Sequence, residues 1–139
     1  MRILLDTNIL LDYCDADRTP FHGECLDLLM SCVDMGIELC VFAGSLKDVY
    51  YVLRKKYGEP AARQATAVLL DRFEVLPLLV STLRAAIDSD EPDFEDGLVR
   101  AAAESNGVSA IVSRDAAAFG MSMVPSYSPQ EFMRQIGQE

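Results

Sequence analysis

Four aspartates stand where an α/β chain would bring acidic side chains together. Asp6 ends the first apolar run, and Asp115 follows the apolar run SAIVS with one residue between. Asp48 lies in the first turns of a predicted helix, and Asp96 lies at the start of another. Carboxylates that share one sheet edge raise each other's pKa, so they need a counter-charge. Mg²⁺ and Mn²⁺ prefer oxygen ligands and can supply that charge.

Each of these aspartates also has an ordinary structural interpretation. Asp6 and Asp115 suit helix N-caps, and Asp48 suits a solvated helix surface. The acids of SDEPDFED, Asp96 among them, fit a solvated loop. Independent caps have no reason to gather at one edge of a sheet. The four positions together therefore favour a metal site that activates water for phosphodiester hydrolysis.

Apolar runs and helical periodicity predict the elements that carry these acids. Five strands are predicted, the last one short: 2–6, 37–43, 73–79, 109–113 and 121–126. Helices are predicted between and after them: about 8–14, 21–36, 45–58, 60–72, 81–88, 96–107 and 128–136. This alternation predicts a single three-layer α/β/α domain over residues 1–139, with a central, mainly parallel four- to five-stranded sheet. Ligands in such folds bind beyond the carboxyl ends of the strands, where Asp6 and Asp115 stand.

The predicted helices carry more detailed expectations. In the second helix the expected apolar face consists of Leu26, Leu29, Met30 and Val33, while Cys25 and Cys32 share a face with Leu28 and Leu29. These two cysteines are expected to be buried free thiols. Ser45, Ser81 and Ser128 are the expected N-caps of their helices, the last in a capping box with Glu131.

Composition excludes several classes of protein. No apolar stretch is long enough for a transmembrane helix, and no secretory signal pattern opens the chain, so a cytoplasmic protein without membrane association is expected. The four cysteines form no CxxC pair and His22 is the only histidine, which argues against zinc. The net charge of −10 means that a polyanionic substrate must meet a local basic patch or bound cations.

Four segments of the chain together resemble the PIN domain nucleases (PilT N-terminus type). They are LLDTNILLDY, SLKDVYYVLRKKYG, DFEDGLVRAAAESNGVSAIVSRD and PSYSPQEF, in the family's order and over essentially the whole chain. The resemblance implies a four-carboxylate site that binds Mg²⁺ or Mn²⁺ and cleaves single-stranded RNA. Asp6, Asp48, Asp96 and Asp115 match its acids. Where the family commonly has glutamate, this chain has the shorter Asp48.

The resemblance also implies auxiliary roles and partners. Asn8 and Ser113 match small polar residues that orient ligands or water, and Asp93 matches an auxiliary acid. Many small bacterial members are VapC-like toxins of type II toxin–antitoxin pairs and form homodimers, so an antitoxin protein and a second copy are the implied partners. Basic side chains near the acids are candidate RNA contacts, or else an ordinary solvated helix end: Lys47, Arg54, Lys55 and Arg114.

Other functions remain open at this point. A catalytically degenerate PIN-like module that binds RNA or protein is the main alternative, and Asp48 is its sequence support. A phosphoacceptor domain would want an aspartate after the third strand, where this chain has Pro77 and Leu78. A dehalogenase-type phosphatase would want D-x-D after the first strand, and no P-loop motif occurs.

Overall fold

The computed structural model describes residues 1–115 and 117–137. The strands are β1 (Arg2–Leu5), β2 (Glu38–Phe42), β3 (Glu74–Leu76), β4 (Ala110–Val112) and β5 (Ser126–Tyr127). The helices are α1 (Thr7–Cys14), α2 (Phe21–Asp34), α3 (Ala43–Tyr57), α4 (Glu59–Arg72), α5 (Val80–Asp88), α6 (Phe94–Ser105) and α7 (Pro129–Gly137). No helix in these described ranges is long and apolar enough to cross a membrane.

All five strands form one parallel sheet in the order β3-β2-β1-β4-β5. The chain builds outward from β1 through β2 to β3, and later adds β4 and β5 on the other side of β1. The predicted α/β/α class with a parallel sheet is therefore confirmed. The fifth strand is shorter and later than predicted. It pairs Ser126 and Tyr127 with β4, whereas Met121 and Met123 lie outside the sheet and are exposed.

Alternation along the strands gives the sheet two buried faces. Ile3 and Leu5 of β1 face a core formed with α1, α2, α3, α4 and α7. Leu4 faces a second core formed with α6 and the segment before β5. Because both faces are covered, the strands read as continuous apolar runs in the sequence.

Helix α2 buries a different face from the one expected. Cys25, Leu28, Leu29 and Cys32 are its buried residues, and both cysteines are free thiols, as predicted. Leu26, Met30 and Val33 are exposed, the last two by 66%. The prediction that these three are buried was wrong, because the helix carries two apolar stripes and only one of them packs on the sheet.

Two of the three predicted serine caps were also wrong. Helix α3 begins at Ala43, so Ser45 lies inside its first turn, and α5 is preceded by Leu79, whose N–H donates to Thr82 Oγ1. Ser128 does cap α7, since its Oγ accepts a hydrogen bond from the N–H of Glu131 at 3.1 Å. Gly58 ends α3 with φ of 94°, a conformation that favours glycine.

Candidate active site

A cavity of about 510 Å³ opens at the carboxyl ends of β1 and β4. The order of the sheet reverses at this pair of strands, because β2 lies on the other side of β1. Such a switch point is where parallel α/β sheets bind ligands. The four predicted acids all line this cavity: Asp6, Asp48, Asp96 and Asp115.

Asp6 is held by hydrogen bonds on both of its carboxylate oxygens. Oδ1 accepts from the N–H of Thr7 at 2.8 Å, and Oδ2 accepts from the hydroxyl of Ser113 at 2.7 Å. The residue is also the N-cap of α1, so the cap interpretation and the site interpretation apply to the same side chain. Burial raises the pKa of Asp6, while the bonds from Ser113 and Thr7 oppose that rise.

Ser113 joins three residues of the candidate site through one oxygen. Its Oγ donates to Asp6 and accepts from the N–H of Asp115 at 3.0 Å and from Asn8 Nδ2 at 3.2 Å. The side chain is 1% exposed, so these are its only means of satisfying a buried hydroxyl. Ser113 and Asn8, the two predicted auxiliary polar residues, thus lie in direct contact with each other, and Ser113 also contacts Asp6 and Asp115.

Asp96 occupies the first turn of α6, where Asp93 is the N-cap. Asp93 Oδ1 accepts from the N–H of Asp96 at 3.0 Å, which is the structural role of Asp93. Burial is the main reason that the pKa of Asp96 rises to about 6, and the negative charges of Asp93, Asp6 and Asp115 add to it. A bound cation would stabilise the ionised form of such a carboxyl and so lower its pKa.

Asp48 is electrostatically separate from the other three acids. Burial raises its pKa, and the neighbouring charge that acts on it is Lys47, which lowers it. The carboxylates acting on Asp96 are instead Asp93, Asp6, Asp115 and Glu91. Asp48 lines the same cavity as the other three acids, with a side chain one methylene shorter than that of glutamate.

The cavity is also lined by residues that the sequence did not predict to belong to the candidate site. Ser45 is 2% exposed, and its Oγ is the one buried side-chain polar atom without a hydrogen-bond partner among the described residues. Phe94 and Leu78 lie at the rim and are nearly half exposed. Ser45 stands three positions before Asp48, so the i, i+3 spacing on one helix face was the available signal.

Only one of the four basic residues predicted to contact RNA lines the cavity. Lys47 is exposed and lines the cavity. Arg54 and Lys55 are exposed on the last turns of α3 and do not line it, and Lys55 Nζ lies 4.7 Å from the ring centre of Tyr51. The guanidinium of Arg114 turns away from the cavity and binds Asp12.

The donors in the cavity suit a hard divalent cation that keeps several waters. Its lining offers carboxylate, amide and hydroxyl oxygens, including the unpartnered Ser45 Oγ, and neither histidine nor cysteine. Within residues 1–115 and 117–137, no three His, Cys, Asp or Glu side chains stand close enough to form a ready-made metal site. Mg²⁺ and Mn²⁺ tolerate such an open arrangement, because water fills the remaining positions, whereas zinc sites usually use nitrogen and sulfur.

Comparison with known proteins gives a family and a fold. Residues 2–117 match the sequence profile of the PIN domain family. No curated protein matches the chain. Solved structures that resemble it include Mycobacterium tuberculosis VapC20, described as a toxin that cleaves the sarcin–ricin loop, with 20% identity, a TM-score of 0.69, and coverage of 85% of this chain and 95% of that one.

Two toxin–antitoxin structures are similar to a comparable degree. VapBC-1 from nontypeable Haemophilus influenzae shares 13% identity at a TM-score of 0.70, over 94% of this chain and 99% of that one. VapBC2 from Rickettsia felis, bound to a fragment of promoter DNA, shares 11% identity at a TM-score of 0.67, over 92% and 98%. At these identities the likeness concerns the fold.

Proposed function

The chain belongs to the PIN domain family, and from this premise we propose that it is a Mg²⁺- or Mn²⁺-dependent endoribonuclease that hydrolyses single-stranded RNA. The observation that carries the proposal is the gathering of Asp6, Asp48, Asp96 and Asp115 around one cavity at the switch point of the sheet. These residues are far apart in sequence and come from four different elements or loops. Their common position is what a shared cationic ligand requires.

Asp6, Asp96 and Asp115 are the residues that would hold the cation directly. Burial is the main reason that the pKa of Asp96 rises to about 6, and the negative charges of Asp6 and Asp115 add to that rise. Asp48 lines the same cavity, and because its side chain is one methylene shorter than glutamate it would act through a water. Ser45 Oγ, buried and unpartnered, is a further donor for a water in this part of the cavity.

A bound divalent cation supplies a water of lowered pKa and positive charge beside the leaving oxygen of the phosphodiester. The protein's part is to keep the carboxylates ionised and correctly oriented. Ser113 does this for Asp6 by donating to Oδ2, which lowers the pKa of that carboxyl against the effect of burial. Asn8 fixes the Ser113 hydroxyl through its amide nitrogen, so the proton of Ser113 is directed at Asp6.

Substrate contacts at the cavity mouth fit a flexible single strand. Lys47 is exposed there and can meet a phosphate, and Phe94 offers an aromatic face on which a base can stack. With a net charge of −10, the rest of the surface repels nucleic acid, so binding depends on these contacts and on the cation. The few contacts at the cavity mouth and the acidic surface around them favour binding of a short single-stranded segment over binding of a long duplex.

We further propose that the protein acts in the cytoplasm as the toxin of a type II toxin–antitoxin pair, with an antitoxin protein as partner, and that it forms a homodimer. The support is the fold shared with the VapBC complexes of Haemophilus influenzae and Rickettsia felis. A dimer is supported by α5, whose Val80, Leu83 and Ile87 are exposed, Val80 by 84%. Exposed apolar patches of this kind commonly mark protein interfaces.

The second candidate function is a degenerate PIN-like module that binds RNA or protein without cleaving it. The observation that favours it is that no three potential ligands among the described residues are already close together. The two candidates differ in whether a divalent ion binds the folded protein and whether cleavage depends on it.

The test is cleavage of a labelled single-stranded RNA with Mn²⁺, with Mg²⁺ and with EDTA, by the wild type and by Asp6→Asn. Asparagine keeps an oxygen for the Ser113 hydroxyl, so the fold and the melting temperature should be retained while cleavage falls below detection. Asp71→Asn, at an exposed position of α4, is the matched control for loss of one negative charge and should cleave normally. Cleavage that survives Asp6→Asn would overturn the mechanism, and absence of both cleavage and calorimetric Mn²⁺ binding in the wild type would favour the degenerate module.

A further inference from the structure

Asp12 is a buried carboxylate outside the candidate active site. It lies on α1, is 1% exposed, and does not line the cavity. Two guanidinium groups reach it. Arg114 donates from Nε to Oδ2 at 2.7 Å and from Nη2 to Oδ1 at 3.1 Å, and Arg18 donates from Nε to Oδ1 at 2.9 Å.

The pair formed by Asp12 and Arg114 is geometrically well defined. Its two parallel bonds use the planar fork of arginine, which fixes orientation as well as distance. The Arg114 guanidinium also lies 4.0 Å from the ring centre of Phe21, at the start of α2. The backbone carbonyl of Asp12 accepts from His22 Nδ1 at 2.8 Å. Both contacts come from the first turn of α2, which therefore packs against the pair.

Arg114 stands between two residues of the candidate site. Ser113 precedes it, and Asp115 follows it on a loop just beyond the end of β4. The backbone N–H of Arg114 donates to Asn8 Oδ1 at 3.2 Å, while its side chain binds Asp12. Both parts of Arg114 are therefore attached to α1, the helix whose N-cap is Asp6.

Asp115 is held by local hydrogen bonds: its Oδ1 accepts from the N–H of Ala117 at 3.2 Å, and its carbonyl accepts from the N–H of Ala118 at 3.3 Å. It is exposed, and its own N–H is bound to Ser113 Oγ. The hydrogen bonds of β4 to β5 end two residues earlier, at Ser113, whose N–H donates to the carbonyl of Tyr127 at 2.9 Å. A residue in this situation takes its place from its neighbours, and its immediate neighbour is anchored twice.

We propose that Asp12 and Arg114 are positioning residues that hold the loop after β4 against α1, so that Asp115 faces Asp6 across the cavity. The effect of this role on cation binding rests on the proposed function, whereas the placement of Asp115 can be measured in metal-free protein. Neither side chain touches the reacting atoms. Loss of the pair should leave Asp115 less well positioned, although every side chain that lines the cavity would still be present.

The experiment compares Arg114→Met with Arg18→Met in the full chain. Both variants remove one guanidinium from the same carboxylate, but only Arg114 belongs to the loop that carries Asp115. We expect Arg114→Met to weaken calorimetric Mn²⁺ binding by roughly 10-fold or more, in the range found for residues that orient metal ligands. Arg18→Met should lose a similar amount of thermal stability with Mn²⁺ affinity unchanged.

The second readout is hydrogen exchange of the Asp115 amide in metal-free protein. We expect it to speed up about 10-fold in Arg114→Met and not in Arg18→Met, because local opening of the loop exposes that N–H to water. Arg114→Lys keeps the charge without the two-pronged geometry. It should recover part of both losses, and it serves in place of the methionine variant if that protein does not fold.

The outcomes separate the two proposals. Equal effects of the Arg114 and Arg18 variants on Mn²⁺ affinity and on Asp115 exchange would overturn the positioning role, even where the wild type binds and cleaves. A wild type that binds no Mn²⁺ would overturn the proposed function. In that case, faster Asp115 exchange confined to the Arg114 variant would still support the positioning role, and its absence would refute it.

Discussion

The hydroxyl of Ser113 donates to the Oδ2 of Asp6 at 2.7 Å, although 107 positions separate the two residues in the chain. This bond joins the carboxyl ends of β1 and β4, the two strands at which the order of strands along the parallel sheet reverses. It also sets the charge state of the site, because it favours the ionised form of a carboxyl that burial disfavours.

Ser113→Ala should therefore weaken metal binding. The variant removes the donor to Asp6 and leaves the N–H of Asp115 and the amide of Asn8 without their acceptor. We expect a loss of about 10-fold in Mn²⁺ affinity and of about 1–3 kcal/mol in the free energy of unfolding. Calorimetry and chemical denaturation measure the two quantities. Ser113→Thr retains the hydroxyl and is the control, and an alanine variant with wild-type affinity would contradict this role.

Asp48→Glu should strengthen the site. The added methylene lengthens the side chain by about 1.5 Å, which moves the carboxylate further into the cavity that the other three acids line. We expect Mn²⁺ affinity and cleavage rate to rise by roughly 3- to 10-fold. Asp48→Asn, which keeps the length and removes the charge, should lower both. A glutamate variant weaker than the wild type would show that Asp48 already lies at its working distance.

Asp96→Asn tests the electrostatic strain of the metal-free site. The pKa of Asp96 in the folded protein is about 6, above the usual 3.8, so the ionised carboxylate disfavours folding. The penalty is absent below about pH 4, grows between about pH 4 and pH 6, and is complete above that range.

In EDTA we expect Asp96→Asn to melt at a higher temperature than the wild type at about pH 7.5, and this advantage to disappear near pH 4. Saturating Mn²⁺ should reverse the order at neutral pH, because only the wild type keeps the ligand. The wild type and the variant share all other titrating groups, so their difference isolates Asp96. An advantage that does not change with pH would contradict the elevated pKa.

Lys47→Ala tests substrate contact at the cavity mouth. Loss of one phosphate contact should raise KM by about 3- to 10-fold with a smaller change in kcat, and should reduce the dependence of KM on salt. Arg84→Ala removes an exposed positive charge on α5, away from the cavity lining, and is the matched control. Equal effects of the two variants would mean that Lys47 acts only through net charge.

The gathering of the four aspartates around one cavity was predictable from the sequence, because each stands at a recognisable place in the α/β pattern. Asp6 ends a buried strand, Asp115 follows another, and parallel topology brings such ends to one edge. The same reasoning predicted the sheet and its class. It required only the order of apolar runs, which burial on both faces makes unusually clear.

The prediction of the buried face of α2 failed because the local sequence pattern allows two faces, and tertiary packing decides between them. Helix α2 has one stripe through Leu28 and Cys32 and another through Met30 and Val33, and nothing within the helix says which of them meets the sheet. The pairing of Arg114 with Asp12 spans 102 positions, so the sequence showed only a basic residue beside an acid. Long-range contacts of this kind depend on the assembled fold.

The position of β4 in the sheet has a consequence for the order in which the protein is made. Asp6 and Asp48 leave the ribosome early, whereas Asp96, Ser113 and Asp115 lie in the last third of the chain. A nascent chain that has emerged only through α5 can pair β2 with β1 and with β3, but β1 still lacks β4 on its other side, and the cavity lacks its lining residues from α6 and Asp115. A protein that attacks RNA in the proposed way would thus be inert beside the ribosomal RNA and the message until the segment from α6 to Asp115 has been translated. It would become competent only once β4 docks against β1.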